Sequence, residues 1–386
     1  MEDLTWILHH MGEDNMPMNA VNPPIFQTSN FCFDSFERFR QALTDELSEC
    51  LYTRGNNPTV NLVESKLAAL EHGEKAKLLG SGAAAITNAV MAFVGTGDHI
   101  VCVNDPYTWA GRLIGTYLAR FGVEHTFVDG RDTDRILEAI RPETKVIYLE
   151  SPTSLTFSLQ DVPAIAAAAR SRGIKTIIDN TWATPLYCNP IDYGVDIVLH
   201  SASKYLGGNS DLVAGAVIGR KEDIELIIRQ ESLQFGAVAD PFMAWLVMRG
   251  MRTLHLRMPV HYANALAVAR YLESHPMVEQ VLHPFLESHP QHELAARLIR
   301  GGSGLFSFRL KTRKLEHIIR FVNSLKVFKR AVSWGGYESL VYPKAASYKP
   351  GVEIPEQDIR LIRLHVGLEN SELLLSDLEQ ALEKIE

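Results

Sequence analysis

Basic residues are fewer than acidic residues in this chain of 386 residues. There are 38 Lys and Arg against 46 Asp and Glu, which gives a formal net charge of −8 at pH 7. An acidic chain binds poorly to nucleic acid or to an anionic membrane surface, so we expect neither as a partner. Long apolar runs are also lacking, and the runs that exist are of strand or helix length, too short to span a membrane.

Cysteine is scarce as well. The four cysteines, Cys32, Cys50, Cys102 and Cys188, are scattered without a C-x-x-C pair, which is typical of free thiols in a reducing compartment. The first residues lack a basic segment followed by an apolar one, so no signal peptide is expected. Together these features predict a cytoplasmic location.

The motifs of two common chemistries are missing. The sequence has no G-x-S-x-G elbow and no Ser/His/Asp order, which leaves hydrolase chemistry without support. His289 and His292 are close in sequence, but a proline lies between them and no third ligand is evident. We therefore expect no metal site.

Strand-like and helical patterns alternate from about residue 61 onward. Apolar runs of strand length occur at 99–103, 125–128, 145–149, 175–178, 196–199 and 214–218, and helical stretches separate most of them. This alternation predicts an α/β fold with a mostly parallel sheet covered by helices on both faces.

The pattern also predicts how the chain is divided. Residues 1–60 are expected to form an irregular arm, 61–250 a large domain and 251–386 a smaller C-terminal α+β domain. One long helix over 241–273 would link the last two. The predicted elements of the small domain are strands at 305–310 and 361–366 and helices at 314–325 and 371–384.

Lys204 follows the apolar run 196–199 and lies in a loop of small residues. We expect it at the carboxyl edge of the sheet, where open α/β sheets bind ligands. Ser201 and Ser203 flank it with hydroxyl donors suited to a phosphate. A lysine in this position suits covalent binding of an aldehyde cofactor, and pyridoxal phosphate combines an aldehyde with a phosphate. The alternative is a solvated surface lysine.

Three more residues extend this hypothesis. Asp179 ends the run 175–178 and would keep a pyridine nitrogen protonated, although it could instead cap a turn. Tyr107 follows the run 99–103 and would cover the cofactor ring, or be a partly buried loop tyrosine. Arg363 lies in an otherwise apolar run and would bind the α-carboxylate of an amino acid, or face water on an edge strand.

The segment Gly-Ser-Gly-Ala-Ala-Ala at 80–85 gives a competing interpretation. It matches G-x-G-x-x-A between a strand and a helix, and Asp105 ends the next strand about twenty residues on, which is the pattern of a dinucleotide site. A nicotinamide-dependent oxidoreductase is therefore the distant alternative. Backbone N–H groups at a helix N-terminus bind any phosphate, and beside Lys204 a single phosphate is the simpler interpretation.

Seven segments occur in the order and spacing of a known family. They are Tyr-Thr-Arg-x-x-Asn-Pro-Thr at 52–59, Ser-Gly-Ala-Ala-Ala-Ile at 81–86, Glu-Ser-Pro at 150–152, Asp-Asn-Thr at 179–181, Ser-Ala-Ser-Lys-Tyr at 201–205, Ser-Trp-Gly-Gly-Tyr-Glu-Ser-Leu at 333–340 and Leu-Ile-Arg-Leu-His-Val-Gly at 361–367. Over nearly its whole length the chain resembles the Cys/Met-metabolism family of pyridoxal-phosphate enzymes, the transsulfuration group.

The resemblance implies the aspartate-aminotransferase fold (fold type I), pyridoxal 5′-phosphate as cofactor and a sulfur amino acid as substrate. It also implies a homotetramer of paired dimers with active sites shared between subunits. Tyr52 and Arg54 would reach the phosphate of a neighbouring subunit's cofactor, and Tyr52 would assist by taking the proton of the substrate's amine. Gly82 and Ala83 would lie in the phosphate loop.

Within the family, Ser-Trp-Gly-Gly-Tyr at 333–337 looks most like bacterial cystathionine β-lyase. This implies β-elimination of cystathionine, or of a similar thioether, to a thiol, pyruvate and ammonia, with Ser333 and Trp334 in the substrate site and Lys204 as the base. Asn-Pro-Thr at 57–59 resembles γ-synthases and γ-lyases, so γ-replacement or γ-elimination is the alternative. The segment 107–109 lacks the cysteine typical of methionine γ-lyases, which disfavours that option.

Overall fold

Two β-sheets organise the chain in the computed structural model, which describes residues 3–385. The expectation about a signal peptide rests partly on the first two residues, which lie outside the described residues. The strands are β1 (Lys75–Leu79), β2 (His99–Val103), β3 (Glu124–Val128), β4 (Thr144–Glu150), β5 (Lys175–Asp179), β6 (Ile197–His200), β7 (Gly215–Gly219), β8 (Val278–Leu282), β9 (Leu305–Leu310), β10 (Lys329–Arg330), β11 (Leu340–Pro343) and β12 (Leu361–His365).

The helices pack around these sheets. They are α1 (Leu4–His9), α2 (Phe36–Thr44), α3 (Pro58–Leu70), α4 (Gly82–Met91), α5 (Thr108–Arg112), α6 (Thr133–Glu138), α7 (Val162–Arg170), α8 (Thr184–Tyr187), α9 (Lys221–Ile227), α10 (Leu233–Phe235), α11 (Pro241–Met251), α12 (Leu254–Ser274), α13 (His292–Leu298), α14 (Leu315–Ser324), α15 (Glu356–Arg360) and α16 (Ser371–Leu382). Short 3-10 turns lie at Pro17–Asn19, Leu118–Phe121, Pro190–Tyr193 and Lys344–Ser347, and π-helical turns at Leu113–Tyr117 and Ile228–Ser232.

The large sheet has seven strands in the order β1-β7-β6-β5-β4-β2-β3. The five neighbouring strands β6, β5, β4, β2 and β3 pair in parallel, and β7 runs antiparallel to both of its neighbours, β1 and β6. Successive side chains of a strand point to opposite faces, so both faces need a cover. In β2, Ile100 packs into the cluster that holds α4, and Val101 into the cluster that holds α7. The predicted mostly parallel sheet with helices on both faces is confirmed.

The small sheet has five strands in the order β10-β11-β12-β9-β8, and most of its pairs are antiparallel. Its core contains Phe306 and Phe308 from β9, Phe321 from α14 and Leu378 from α16. The structure adds β8, β10 and β11, which the sequence pattern did not predict. The division at residues 60 and 250 remains a prediction.

The long helix predicted over 241–273 is wrong in one respect, because it breaks between α11 and α12. The carbonyl of Gly250 accepts hydrogen bonds from the N–H of Thr253 at 3.2 Å and from the guanidinium of Arg257 at 2.8 Å. These bonds replace the one that would continue the α-helix. Gly250 also packs against the backbone of Gly207, where a side chain would leave too little space.

The arm is more regular than its sequence predicts. It contains α1 and α2, and the apolar face of α1 packs on α3. The fully buried Lys66 of α3 donates to the carbonyl of Ile7 at 2.8 Å and forms a salt bridge with Glu13 at 3.0 Å. These contacts fix the first residues of the described chain to α3. In that described part, every helix is too short or too polar to cross a membrane.

Candidate active site

The carboxyl ends of the parallel strands open into one large cleft with a volume of about 1480 Å³. The ends of β4, β5 and β6, the first turn of α4 and residues of the small sheet line it, as expected for an open α/β sheet. Most of the predicted site residues lie on its wall, namely Gly82, Ala83, Tyr107, Asp179, Ser201, Ser203, Lys204, Ser333, Trp334 and Arg363.

Lys204 lies in the loop after β6, and its side chain is half-buried in the cleft. Its Nζ donates to the hydroxyl oxygen of Ser333 at 2.7 Å and lies 5.6 Å from the ring centroid of Trp334. Burial, together with the positive charge of Arg363, lowers the pKa of Lys204 to about 8. Desolvation disfavours the ammonium form, and an amine that loses its proton near neutral pH can act as a nucleophile and a base.

Asp179 ends β5 and presents its carboxylate to the same cleft. Its Oδ1 accepts hydrogen bonds from the N–H of Thr181 at 2.9 Å and from the Thr181 hydroxyl. Its Oδ2 makes no hydrogen bond to any residue in the range 3–385, so this oxygen is free for a donor in the cleft. Burial raises the pKa of Asp179, and the two hydrogen bonds from Thr181 and, more weakly, the nearby Lys204 oppose this rise. Asp179 therefore both caps its turn and faces the cleft.

The first turn of α4 forms an anion-binding corner of the cleft. Ser81 caps the helix, since its hydroxyl accepts from the N–H of Ala84 at 3.0 Å. The N–H groups of Gly82 and Ala83 have no acceptor within the helix. An oxyanion placed here would receive two backbone hydrogen bonds at the positive end of the helix.

Ser201 lies directly beside this turn. A Cβ atom at residue 82 would be 2.9 Å from the Ser201 Oγ, so the close approach requires glycine. Among the described residues, no group forms a hydrogen bond with the Ser201 hydroxyl, which leaves it free for an anion. Ser203 differs, because its hydroxyl already donates to the carbonyl of Ala214 at 3.2 Å and accepts from its N–H at 3.0 Å.

Arg363 reaches the cleft from β12. Its Nη1 donates to the carbonyl of Ser154 at 3.1 Å, and its guanidinium carbon lies 5.1 Å from the ring centroid of Tyr342. Burial lowers the pKa of Arg363 to about 10, so the group is still charged at neutral pH. It forms no salt bridge with any residue of the described chain. A desolvated guanidinium without an anionic partner is suited to bind a carboxylate.

Glu150 ends β4 and is paired in register with Asp179 of β5. Its Oε2 accepts from the N–H of Tyr107 at 2.6 Å and its Oε1 from the N–H of Ser154 at 2.7 Å. Burial, and then repulsion by Asp179, raises the pKa of Glu150, whereas the N–H donors of Tyr107 and Ser154 oppose this rise because they favour the ionised carboxylate. Two neighbouring buried carboxyl groups favour a cation in the cleft, because a positive charge offsets their repulsion.

Two predicted residues do not join the cleft within one chain. Tyr52 is 49% exposed, and the Arg54 guanidinium carbon lies 5.8 Å from its ring centroid. Neither residue lines the cleft that holds Lys204. The role that the resemblance implies, in a neighbouring subunit's site, remains a prediction.

Three cleft residues had no role in the sequence prediction. Glu150 ends an apolar run as Asp179 does, so the same rule could have found it. Thr181 lies two residues after an aspartate, which is the spacing of an Asx turn. Glu338 has no local pattern of this kind and is marked only by its place in the family-like segment 333–340. Its Oε1 accepts from the Ser210 hydroxyl at 2.6 Å, and its Oε2 is buried without a partner among the described residues.

Comparison with a family of known enzymes agrees with this geometry. The family described as Cys/Met metabolism PLP-dependent enzyme matches residues 5–383. The chain belongs to this family. The predicted family and its cofactor, pyridoxal 5′-phosphate, are thereby confirmed.

Two relatives show where the chain stands within the Cys/Met-metabolism family. An L-methionine gamma-lyase of Treponema denticola is 40% identical over 385 residues, which is 97% of this chain and 96% of the relative. A cystathionine gamma-synthase of Mycobacterium tuberculosis (strain H37Rv) is 40% identical over 370 residues, covering 94% and 92%. These names support the γ-type alternative better than the β-lyase that the sequence motifs favoured.

A solved structure confirms the fold type I architecture. An enzyme of Campylobacter jejuni, named as an O-acetylhomoserine (thiol)-lyase, superposes with a TM-score of 0.92 at 29% sequence identity. The match covers 99% of this chain and all 100% of the other. That protein carries N′-pyridoxyl-lysine-5′-monophosphate, so its cofactor is bonded to a lysine.

The cleft of this Cys/Met-metabolism enzyme fits the same cofactor. The free N–H groups of Gly82 and Ala83 and the free hydroxyl of Ser201 suit the phosphate. The unpaired Oδ2 of Asp179 suits the ring nitrogen, and the Lys204 amine suits the aldehyde. Each part of the cofactor thus has a complementary group in the cleft.

Proposed function

We propose that the protein is a carbon–sulfur lyase that cleaves the Cγ–S bond of a sulfur amino acid. The observation that carries this proposal is one cleft that holds both Lys204, an amine of lowered pKa, and Arg363, a guanidinium without an anionic partner. The γ-type names of two 40% identical relatives support cleavage at Cγ.

Each residue of the cleft has its own role in the proposed reaction. Arg363 binds the α-carboxylate of the substrate, and Lys204 Nζ takes the proton from Cα. Asp179 favours the protonated ring nitrogen, and Tyr107 covers the ring. When bound, pyridoxal phosphate supplies an electron-accepting ring that stabilises the negative charge left on the substrate.

Cleavage at Cγ requires a second proton to leave from Cβ. In the proposal Lys204 first passes the Cα proton on to the substrate and its bound cofactor, and the neutral amine then takes the Cβ proton and delivers it to the leaving sulfur. Its hydrogen bond to Ser333 would keep the amine in the cleft between these steps. Trp334 lies beneath the same amine and excludes water from one side. Ser333 and Trp334 therefore border the substrate site.

Glu338 favours a substrate with a second ammonium group. Its Oε2 is buried without a hydrogen bond inside the described part of the chain, and such a carboxylate oxygen is costly unless a donor reaches it. Cystathionine has an ammonium at its far end and methionine does not. We therefore place cystathionine before methionine as the substrate.

β-Elimination of cystathionine is the second candidate function. The segment Ser-Trp-Gly-Gly-Tyr at 333–337 supports it, because this segment resembles cystathionine β-lyase. The first steps, in which Arg363 orients the carboxylate and Lys204 removes the Cα proton, are common to both reactions. The candidates differ in which carbon loses the thiolate.

Product analysis tests the proposal. Purified, cofactor-loaded protein is incubated with L-cystathionine, with L-methionine and with an O-acylhomoserine plus cysteine, and the products are identified. Cysteine, 2-oxobutyrate and ammonia from cystathionine support γ-cleavage, whereas homocysteine, pyruvate and ammonia favour the β-reaction. Formation of cystathionine without keto acid in the third mixture would indicate a synthase instead.

We also propose a cytoplasmic homo-oligomer, a tetramer of paired dimers, in which Tyr52 and Arg54 complete a neighbour's cofactor site. The nearly full exposure of the apolar Met18 (97%) and Val21 (96%) on the arm supports a partner surface there. Mixing two inactive variants, Arg54→Ala and Lys204→Ala, tests this directly. Activity returns on subunit exchange only if one site draws these residues from two chains.

A further inference from the structure

We propose that Glu150 is a positioning residue that holds the carboxylate-binding Arg363 and the ring-covering Tyr107 in one fixed arrangement. This inference rests on the proposed function, since it assumes that Arg363 binds the substrate's carboxylate. Glu150 itself has no free oxygen for a ligand, because each of its carboxylate oxygens accepts a backbone hydrogen bond.

The contacts of Glu150 form a continuous path between the two loops. Its Oε2 binds the N–H of Tyr107, at the start of α5, at 2.6 Å. Its Oε1 binds the N–H of Ser154 at 2.7 Å. The carbonyl of the same residue, Ser154, accepts from Arg363 Nη1 at 3.1 Å. One buried side chain at the end of a strand thus sets the position of both loops.

The path requires a carboxylate rather than an amide. A carboxylate accepts at both oxygens, whereas a glutamine has one acceptor and one NH₂ group. In Glu150→Gln the NH₂ group must face the N–H of either Tyr107 or Ser154, and that N–H then loses its partner in a buried place. The loop that contains the unpaired N–H has to move. If this is the loop of Ser154, Arg363 moves with it, because its guanidinium is bonded to the Ser154 carbonyl.

Neighbouring charges support this role. Asp179 on the adjacent strand repels the Glu150 carboxylate, and Arg363 attracts it. The protein keeps Glu150 beside Asp179 despite this repulsion and the cost of burial. A site that only needed packing could hold an uncharged side chain here at lower cost.

Binding of glycine to the cofactor-loaded protein tests the inference, with the change in the visible absorbance of the cofactor as the signal. Glycine has the α-carboxylate but no sulfur to lose, so the test does not depend on carbon–sulfur cleavage. In Glu150→Gln we expect the glycine Kd to rise about tenfold, as for a lost hydrogen bond to a charged group. The Kd of pyridoxal phosphate for the apoprotein is measured in parallel.

The double variant Glu150→Gln with Arg363→Lys shows whether Glu150 changes the glycine Kd through Arg363 or through a general disturbance of the site. If Glu150 acts through Arg363, then Glu150→Gln adds little to the glycine Kd once Arg363 is changed, because the two effects are not additive. Additive effects, or an unchanged Kd in Glu150→Gln, would overturn the inference. If the cofactor-loaded wild-type protein does not bind glycine at all, the result contradicts the proposed function itself, and the role of Glu150 fails with it.

A matched control comes from the small sheet's domain. Asp377 is also buried, and its carboxylate also accepts backbone hydrogen bonds, from Lys326, Val327 and Phe328. Asp377→Asn should lower the Tm without changing the glycine Kd. If Glu150→Gln does not fold, Glu150→Asp replaces it, since the shorter side chain cannot reach both N–H groups; an unchanged glycine Kd in that variant equally contradicts the proposal.

Discussion

The Nζ atom of Lys204 lies 2.7 Å from the Oγ atom of Ser333, which is 129 residues away in the sequence. Ser333 has a φ of +77°, in the left-handed region that side chains other than glycine rarely adopt. The chain therefore accepts local strain where a hydroxyl meets the central amine, a pattern found at functional sites.

Replacement of Lys204 by alanine should remove both turnover and the visible absorbance of the lysine-bound cofactor. The rate should fall at least about 10²- to 10⁴-fold, since the variant lacks the base as well as the point of attachment. Keto acid release and the absorbance spectrum measure this, with the Tm as a check on folding. Turnover close to the wild-type rate would refute the role of Lys204.

Replacement of Arg363 by alanine should act mainly on substrate binding. The loss of a two-pronged guanidinium–carboxylate contact should raise KM by about 10- to 100-fold. Steady-state kinetics with cystathionine and inhibition by simple carboxylates give the measurement. An unchanged KM would place Arg363 outside the substrate site.

The lowered pKa of Lys204 predicts how the apoprotein takes up its cofactor. Only the neutral amine attacks an aldehyde, and with a pKa of about 8 half of Lys204 is neutral near pH 8. The association rate should fall about tenfold per pH unit below this value and level off above it. Stopped-flow absorbance from pH 6 to 10 checks the profile; a rate that still rises steeply at pH 10 would indicate an ordinary lysine.

A methyl group at Gly335 should disturb the active site. Gly335 has a φ of +86°, and a Cβ atom there would lie 2.9 Å from the Cα of Lys204. Gly335→Ala should therefore lower both the Tm and kcat. Gly351→Ala is the matched control, because Gly351 has a φ of +82° with nothing within 4 Å of its added Cβ. It should cost only the backbone term of about 1–2 kcal/mol and leave kcat unchanged; equal losses of kcat in both variants would argue against the contact.

Buried neutral histidines should make the protein sensitive to acid. Burial lowers the pKa of His283 to about 3, while in the unfolded chain it titrates near its usual value. Between these pH values the unfolded chain binds more protons, so the stability that a neutral His283 provides is lost as the pH falls below about 6.5.

His283→Asn tests this, since asparagine keeps an acceptor for the N–H of Phe285. The difference in the free energy of unfolding between wild type and variant should decrease by roughly 1 kcal/mol from pH 6 to pH 5. Urea unfolding at several pH values gives this difference. A difference that stays constant over this range would show that His283 does not titrate as a buried group.

The sequence predicted the elements that are buried on both faces better than those at the edges. β4 and β6 contain the unbroken apolar runs Val-Ile-Tyr-Leu and Ile-Val-Leu, so their pattern is unambiguous. β10 has only two exposed residues, Lys329 and Arg330, and β8 includes two exposed polar positions. Their strand conformation comes from pairing with neighbours, which no local pattern contains. The arm helix α1 likewise depends on a distant residue, Lys66.

Some features of the site could also be predicted from local sequence patterns and others could not. Asp179 was predictable because it ends an apolar run, Arg363 because it interrupts one, and Lys204 because it lies in the loop of small residues that follows one. The contact of Lys204 with Ser333 and the two hydrogen bonds of Glu150 join segments far apart in the chain, and only the folded structure brings them together.

The pairing of β4 with β5 has a consequence for the evolution of this enzyme. Glu150 and Asp179 stand side by side only because these two strands meet in this register. A slip by one residue would turn one of the two acids toward the opposite, helix-covered face. An insertion or deletion inside β4 could therefore preserve the hydrophobic interior and still abolish activity. We therefore expect length changes among descendants of this protein to fall in surface loops.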